Sequence, residues 1–241
     1  MKEYAIAIQA RTTSKRFPNK VLQLIGDKTV LEHVLSACRE SANYINRHTH
    51  RTDVVAHVFL LVPSSDILMN QEYRGVKIIG GSEDDVLSRY VSILKEKEFS
   101  GIVRITADCP LIQPSIITKI LKLGEKGEYD FISNAMPEYR TFLDGLDCEY
   151  MSPKLLKWLG ENAKGKDREH VTSLAVWEPP KWAKIGHIFN NIDFFSLDFK
   201  LSIDTPEDLE RVRKIYLEVQ NKMQKWEQLN GASTINRFWS A

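Results

Sequence analysis

The sequence predicts an α/β fold, a three-layer α/β/α sandwich built on a mainly parallel mixed sheet. Three observations predict it. Apolar runs of strand length alternate with segments whose apolar residues recur at helical spacing, the order that β-α units produce when helices cover both faces of a parallel sheet. The runs "YAIAIQA", "VVAHVFLLV" and "GIVRITA" are apolar almost throughout, as strands buried on both faces must be. Past residue 129 two strand-like runs follow in succession, which predicts an antiparallel addition to the sheet there.

In order, "YAIAIQA" is the first strand, followed by a basic loop and by "TVLEHVLSACRE", where Val30, Leu31, Val34, Leu35 and Cys38 mark one face of a helix. "VVAHVFLLV" and "GVKIIG" are strands, "DDVLSRYVSILKE" a helix and "GIVRITA" a strand. "PSIITKILKLGEK" is a helix opened by Pro114, whose missing N–H is no loss at the first helical position. In the second half "YDFISNA", "LDCEYMS" and "AKIGHIF" are strands, and "PKLLKWLGENA" and "REHVTSLAVWE" helices. A short strand "KLSI" precedes a long helix with Thr205 as N-cap, Pro206 at N1 and Asp208 at N3. That is a capping box with Asp in the Glu position, and it leaves Asp204 free of capping duty. "ANYINRHTHRTD" reads as a long polar connection after the first helix. The tail "NGASTINRFWSA" reads as a loop whose Phe238 and Trp239 dock on the body or on a partner chain.

Composition narrows the function. At 241 residues the chain suits one compact domain, and 43% hydrophobic with 27% charged residues is ordinary for a folded soluble protein. Lys+Arg number 33 against 32 Asp+Glu, so no global field gathers nucleic acid or an anionic membrane. The early apolar run is too short for a signal-peptide core or a membrane span. The three cysteines, Cys38, Cys109 and Cys148, are widely spaced without a C-x-x-C pair. This argues against a disulfide framework or zinc site and for a reducing, cytoplasmic setting.

Against that neutral background the loop "IQARTTSKRFPNK" stands out, with Arg11, Lys15, Arg16 and Lys20 directly behind the first strand. In open α/β sheets ligands gather beyond the carboxyl ends of the strands, and the first such loop commonly meets phosphate. The loop matches neither the Gly-x-Gly-x-x-Gly nor the Gly-x4-Gly-Lys-Ser/Thr pattern, so side-chain cations must do the holding, as suits a nucleoside triphosphate. Asp108 in "RITADCPLI" and Asp204 in "KLSIDTPEDL" each follow a strand, so both carboxylates reach the same edge. Two acids there can hold magnesium, which keeps waters and phosphate oxygens in its shell. "GGSEDDVLSRY" opens with glycines that allow close backbone approach and carries Ser82, Asp84 and Arg89. It also reads as a turn and an acidic helix start. Asp147 and Glu149 in "FLDGLDCEYMS" stand at i and i+2 on one strand face. Arg168, Glu169 and His170 in "KDREHVT" stand near a helix start, as surface pairs or substrate contacts.

Taken together, "IQARTTSKRFPNKVL", "VLEHVL", "GSEDDVLSRY", "VRITADCPLI", "DFISN", "DGLDCEYMS", "DREHVT" and "SIDTPEDLERVRKIY" resemble the cytidylyltransferase family. That family includes the spore-coat polysaccharide biosynthesis protein F group and, more distantly, the CMP-KDO and CMP-sialic acid synthetases. The resemblance implies a nucleotide-diphospho-sugar transferase-like fold, similar to glycosyltransferase type A, over a single domain of residues 1–241, with 129–200 containing the acceptor-side and dimerisation part. It implies an enzyme that moves CMP from CTP to a sugar, sugar acid or small phosphorylated acceptor and releases pyrophosphate. It assigns Arg11, Arg16 and Lys20 to the triphosphate, with Ala10 and Ser14 of the same loop, and Ser82, Asp84 and Arg89 to the neighbourhood of base and ribose. Asp108 and Asp204 match the magnesium ligands, and with Arg11 and Lys20 form the catalytic set. Asp147, Glu149, Arg168, Glu169 and His170 fall on the acceptor side. A homodimer is implied, with CTP and a small acceptor as ligands and neither nucleic acid nor membrane insertion. The chain departs from the pattern at Phe17 and Asn19, where Leu and Gly are commoner. A glycosyltransferase on the same sheet and a non-catalytic nucleotide-binding subunit are the alternatives.

Overall fold

The computed structural model describes residues 1–48, 53–190 and 199–230. Its strands are β1 (Lys2–Gln9), the hairpin β2 (Leu24–Ile25) and β3 (Lys28–Thr29), β4 (Val54–Pro63), β5 (Val76–Gly81), β6 (Gly101–Thr106), β7 (Phe131–Ser133), β8 (Glu149–Met151) and β9 (Ile185–His187). Seven of them form one sheet in the order β5-β4-β1-β6-β8-β7-β9. The pairs β1–β4, β1–β6, β4–β5 and β7–β9 are parallel. Only β8 runs against its neighbours, and it is the antiparallel addition expected of the second half.

The helices are α1 (Val30–Arg47), α2 (Val86–Ile93), α3 (Pro114–Glu125), α4 (Pro153–Asn162), α5 (Lys166–His170), α6 (Ser173–Trp177) and α7 (Pro206–Asn230). Alternation along β1 divides the core between the two sheet faces. Tyr4, Ile6 and Ile8 pack with Leu31, Val34, Leu35 and Cys38 of α1 and with Ile117, Ile120 and Leu121 of α3. Ala5 and Ala7 turn to the other face, against Leu87, Tyr90 and Ile93 of α2 and Leu155, Leu156 and Leu159 of α4. A third cluster, Ile25, Val30, Ile203, Leu209 and Val212, seats α7 on the β2–β3 hairpin. Because Ile203 is buried in it and donates its N–H to Asp108 O at 2.9 Å, Asp204 is carried to the edge where β6 ends.

Three local expectations are corrected. "KLSI" forms no strand; the segment is held by the isolated bridge Asp144–Lys200 and by Leu201 N–H on Asp144 O. Gly145 permits this approach, with φ +99° and a would-be Cβ only 2.4 Å from Ser202 N. "REHVTSLAVWE" is not one helix, because Val171 takes φ 66°, ψ −59° and separates α5 from α6. α1 runs through Arg47, since Ala42 and Ile45 continue its buried face, so much of the expected polar connection is helical. His50 of that connection, and Phe238 and Trp239 of the tail, lie outside the described residues. The Thr205–Asp208 capping box is present: Asp208 N–H donates to Thr205 Oγ1 at 3.3 Å and Thr205 N–H to Asp208 Oδ2 at 3.1 Å. Among the described residues no helix is long and apolar enough to cross a membrane, and Cys38, Cys109 and Cys148 are buried and free.

Candidate active site

A cleft of about 590 Å3 opens at the carboxyl ends of β1 and β6. Its roof is the basic loop, whose path is fixed by backbone chemistry. Thr12 donates its N–H and hydroxyl to Asp66 Oδ2 at 2.7 and 3.0 Å, and the buried Asp66 takes Leu68 N–H on its other oxygen. Asn19 sits at φ 58° and donates to Thr12 O at 2.8 Å, folding the loop back so that Lys20 points inward. The left-handed conformation explains why glycine is commoner there, and Asn is among the residues that tolerate it. Phe17, the other departure, packs on the cluster that seats α7.

Lys20 is the centre of the site. Only 8% exposed, it donates to Asp108 Oδ2 at 2.7 Å, Asp204 Oδ1 at 3.1 Å and Ile203 O at 2.7 Å. Arg16 Nη2 lies 2.8 Å from Asp204 Oδ1, and Lys200 Nζ is 2.7 Å from Asp204 Oδ2. Burial pushes the Asp204 carboxyl up, but the bonds and charges of Lys200 and Lys20 outweigh it and hold it below the usual range. One ammonium thus bridges two carboxylates that charge repulsion would otherwise separate. The oxygen donors suit magnesium, which needs few protein ligands when phosphate and water complete its shell. Among the described residues no third Asp, Glu, His or Cys joins Asp108 and Asp204 in a metal-holding group, so phosphate would have to supply the remainder.

Ala10, Arg11, Ser14, Arg16, Lys20, Asp84, Arg89, Asp108, Glu169, His170 and Asp204 all line the cleft. Arg11 Nη2 lies 3.6 Å from Glu169 Oε1. Arg89 is 2% exposed and donates to Leu61 O at 3.1 Å and Ala10 O at 3.4 Å, bracing the start of the loop from below. Desolvation lowers its pKa, and among the described residues its Nε has no partner. The adjoining glycine serves this arginine and not a ligand, since a Cβ on Gly81 would meet Arg89 Cγ at 2.6 Å.

Four expected residues lie off the cleft lining. Ser82 caps a turn, accepting Asp85 N–H at 3.1 Å. Arg168 is a brace, with Nη2 2.7 Å from Asp85 and bonds to Gly160 O and Ala163 O. Glu149 is buried and accepts from Arg104 Nη1 at 2.6 Å and Thr172 Oγ1 at 2.9 Å. Asp147 pairs with Arg140. Burial raises the Asp147 carboxyl to about 6 against the pull of Arg140, with Asp144 and Glu149 adding to the rise. The folded chain therefore keeps this proton to a higher pH than the unfolded chain, whose aspartates titrate near 3.9. Asp147 favours folding below about pH 4, and that contribution is lost as pH rises through about 6. Asp147→Asn should remove part of the fall in melting temperature across this window; an unchanged pH slope would contradict the raised carboxyl.

Gln9, Thr13, Glu83 and Arg104 also line the cleft, although motif reading passed over them. Arg104 carried a signal, as a lone charge within the apolar run "GIVRITA". Asp66 carried none beyond a helix-cap pattern. Cys109 is buried, and burial with the neighbouring Asp108 pushes its thiol up, which disfavours a thiolate nucleophile.

Comparison with known proteins identifies the family. A family model described as cytidylyltransferase matches residues 5–233. An uncharacterized protein of Methanocaldococcus jannaschii is 32% identical over 214 residues, covering 88% of this chain and 81% of that one. The spore coat polysaccharide biosynthesis protein SpsF of Bacillus subtilis is 26% identical over 220 residues, covering 90% and 87%. The solved structure of a cytidylyltransferase from Leptospira borgpetersenii superposes with a TM-score of 0.76 at 28% identity, covering 95% of this chain and 96% of that one. The chain, a nucleotidyltransferase in fold and in enzyme class, belongs to the cytidylyltransferase family.

Proposed function

We propose that this protein transfers CMP from CTP to a sugar, sugar acid or small phosphorylated acceptor, releasing pyrophosphate, in surface-polysaccharide or glycoconjugate synthesis. The observation that carries the reading is the Lys20 ammonium held between Asp108 and Asp204 beneath a loop that also offers Arg11, Lys15 and Arg16 to one cleft. These cations match the row of oxygens on a triphosphate. When CTP enters, Lys20 and Arg16 exchange carboxylate partners for phosphate, and Asp108 and Asp204 are the residues that would hold a magnesium ion. The ion would supply neutralisation of phosphate charge and alignment of the α-phosphoryl group.

The acceptor oxygen attacks the α-phosphorus, a new P–O bond forms, and the bond to the β-phosphate oxygen breaks. Lys20, Arg11 and Arg16 offset the charge that builds on the departing pyrophosphate. A phosphate or carboxylate acceptor needs no base. A hydroxyl acceptor gives up its proton, and His170, exposed on the cleft lining, is the candidate to receive it, whereas Glu149 is buried and accepts from Arg104 and Thr172. Homodimerisation belongs to the same reading, with exposed Trp177, Phe189 and Leu217 as apolar surface for it. The buried free cysteines accord with a cytoplasmic setting.

Pyrophosphate release with each nucleoside triphosphate and magnesium, against acidic sugars, amino sugars and sugar phosphates, tests the reading. Release that requires both CTP and an acceptor supports it. Consumption of a nucleotide sugar without pyrophosphate would assign a glycosyltransferase instead, and CTP binding without turnover across the panel would assign a binding subunit.

A further inference from the structure

Behind the phosphate loop, on the α2 face of the sheet, runs a chain of hydrogen bonds that the transfer mechanism above does not use. Tyr90 Oη donates to Gln9 Oε1 at 3.2 Å, and Arg104 Nε donates to the same oxygen at 3.1 Å. Arg104 Nη1 donates to Glu149 Oε2, which also accepts from Thr172 Oγ1. The chain thus ties α2, β1, β6 and β8 to the segment that follows α5. Tyr90, Glu149 and Thr172 are buried, and Gln9 and Arg104 reach the cleft lining.

The anchoring at its far end is strained. Val171, a β-branched residue at φ 66°, ψ −59°, makes a γ-turn of the rare hand, closed by Thr172 N–H on His170 O at 2.7 Å. Strain of this kind persists where the surroundings over-determine the backbone, and such places cluster at ligand sites. Here it sets the Thr172 hydroxyl on Glu149 while Glu169 and His170 stand at the cleft.

The chemistry of this chain fixes one amide. An arginine Nε can only donate, so the Gln9 atom facing Arg104 must be the oxygen, and the amide cannot be flipped. The Gln9 Nε2 group therefore points away from the network. Among the described residues it has no partner, and Gln9 is part of the cleft lining.

We propose that Gln9 is a substrate-contact residue, whose oriented amide N–H donates to an uncharged oxygen of the substrate, a carbonyl or hydroxyl, with Arg104, Glu149 and Thr172 as its positioning residues. The inference rests on the nucleotidyl-transfer reading and adds to it a neutral, hydrogen-bonding contact between the phosphate cations and the acceptor side. The oxygen belongs either to the base or ribose of CTP or to the acceptor. A donor rigidly held beside a buried charge pair discriminates strongly, because a ligand without the matching oxygen leaves it unpaired.

Two variants separate contact from structure. Gln9→Glu keeps an acceptor for Arg104 and Tyr90 and removes the N–H. Gln9→Met removes the N–H without adding charge. CTP with magnesium is titrated into wild type and both variants by calorimetry, melting temperatures are recorded, and pyrophosphate release is followed over the panel of acidic sugars, amino sugars and sugar phosphates. We expect Gln9→Glu to melt within a few degrees of wild type and both variants to lose about tenfold or more at one step. Weaker CTP binding in both assigns the oxygen to the nucleotide. Unchanged CTP binding with a raised acceptor KM in both assigns it to the acceptor. Thr172→Val should move the same constant, and Thr172→Ser should restore it. Wild-type constants in both Gln9 variants overturn the proposal. A loss confined to Gln9→Glu overturns it as well, since it would report only repulsion of phosphate by the new carboxylate. If Gln9→Glu fails to fold, Gln9→Met decides; if Gln9→Met fails to fold, Gln9→Leu, which also removes the N–H without adding charge, takes its place. A wild-type protein that binds no CTP overturns the nucleotidyl-transfer reading and this assignment with it, an outcome separate from any behaviour of the variants.

Discussion

Asp108→Ala should lower the rate of pyrophosphate release by roughly 10²–10³-fold, the loss typical of removing one group that stabilises developing charge. The geometry makes this variant clean. Lys20 keeps Asp204 and Ile203 O as partners when Asp108 is gone, so the loop stays anchored and the melting temperature should change little. Asp108 is also the less encumbered of the two acids: Asp204 is gripped by Arg16, Lys20 and Lys200 together. Wild-type turnover in Asp108→Ala, with CTP binding intact, would remove Asp108 from the chemistry and with it the two-acid site.

Lys20→Met should damage both stability and turnover. The ammonium is buried against two partly exposed carboxylates, and its loss leaves their charges facing each other with no cation between them. Breaking a fully buried pair costs about 3–5 kcal/mol, and the solvent that reaches Asp108 and Asp204 should reduce this to about 1–3 kcal/mol. Magnesium ions should recover part of the lost melting temperature in Lys20→Met while leaving wild type nearly unmoved, because only the variant lacks the ammonium that the two acids share. Turnover should fall by roughly 10²-fold or more, since Lys20 is the cation that Asp108 and Asp204 share, whereas Arg16 and Lys200 pair with Asp204. A stability loss with normal turnover would make Lys20 a structural strut and nothing more.

The residues legible in the sequence were those whose position follows from chain order. Asp108 stands one residue beyond a strand and its short extension, and Asp204 stands just before a capped helix, so both had to reach the same edge. Nothing local shows that Lys20 joins them, because its reach depends on Asn19 turning the loop back and on Ile203 being buried under α7. Asp147 and Glu149 do not share a strand face as their spacing predicts, because β8 begins at Glu149 and Asp147 lies before it, and each has its own arginine partner. Arg168 was selected for its charge and proves to be a brace, since Asp85, which also caps α2, lies 2.7 Å from it. Gln9 was invisible as a site residue for the opposite reason. A neutral side chain at a strand end carries no motif, and only the donors around its oxygen reveal where its N–H must point.

The most direct test of the central claim follows the α-phosphate itself. CTP labelled at the α-phosphorus is incubated with the protein, magnesium and the acceptor panel, and the products are separated. The account predicts that the label moves to an acceptor-linked CMP product in equal amount to the pyrophosphate released, and that both vanish in Asp108→Ala. Label recovered only in CTP or CDP, with the nucleotide bound, would contradict it.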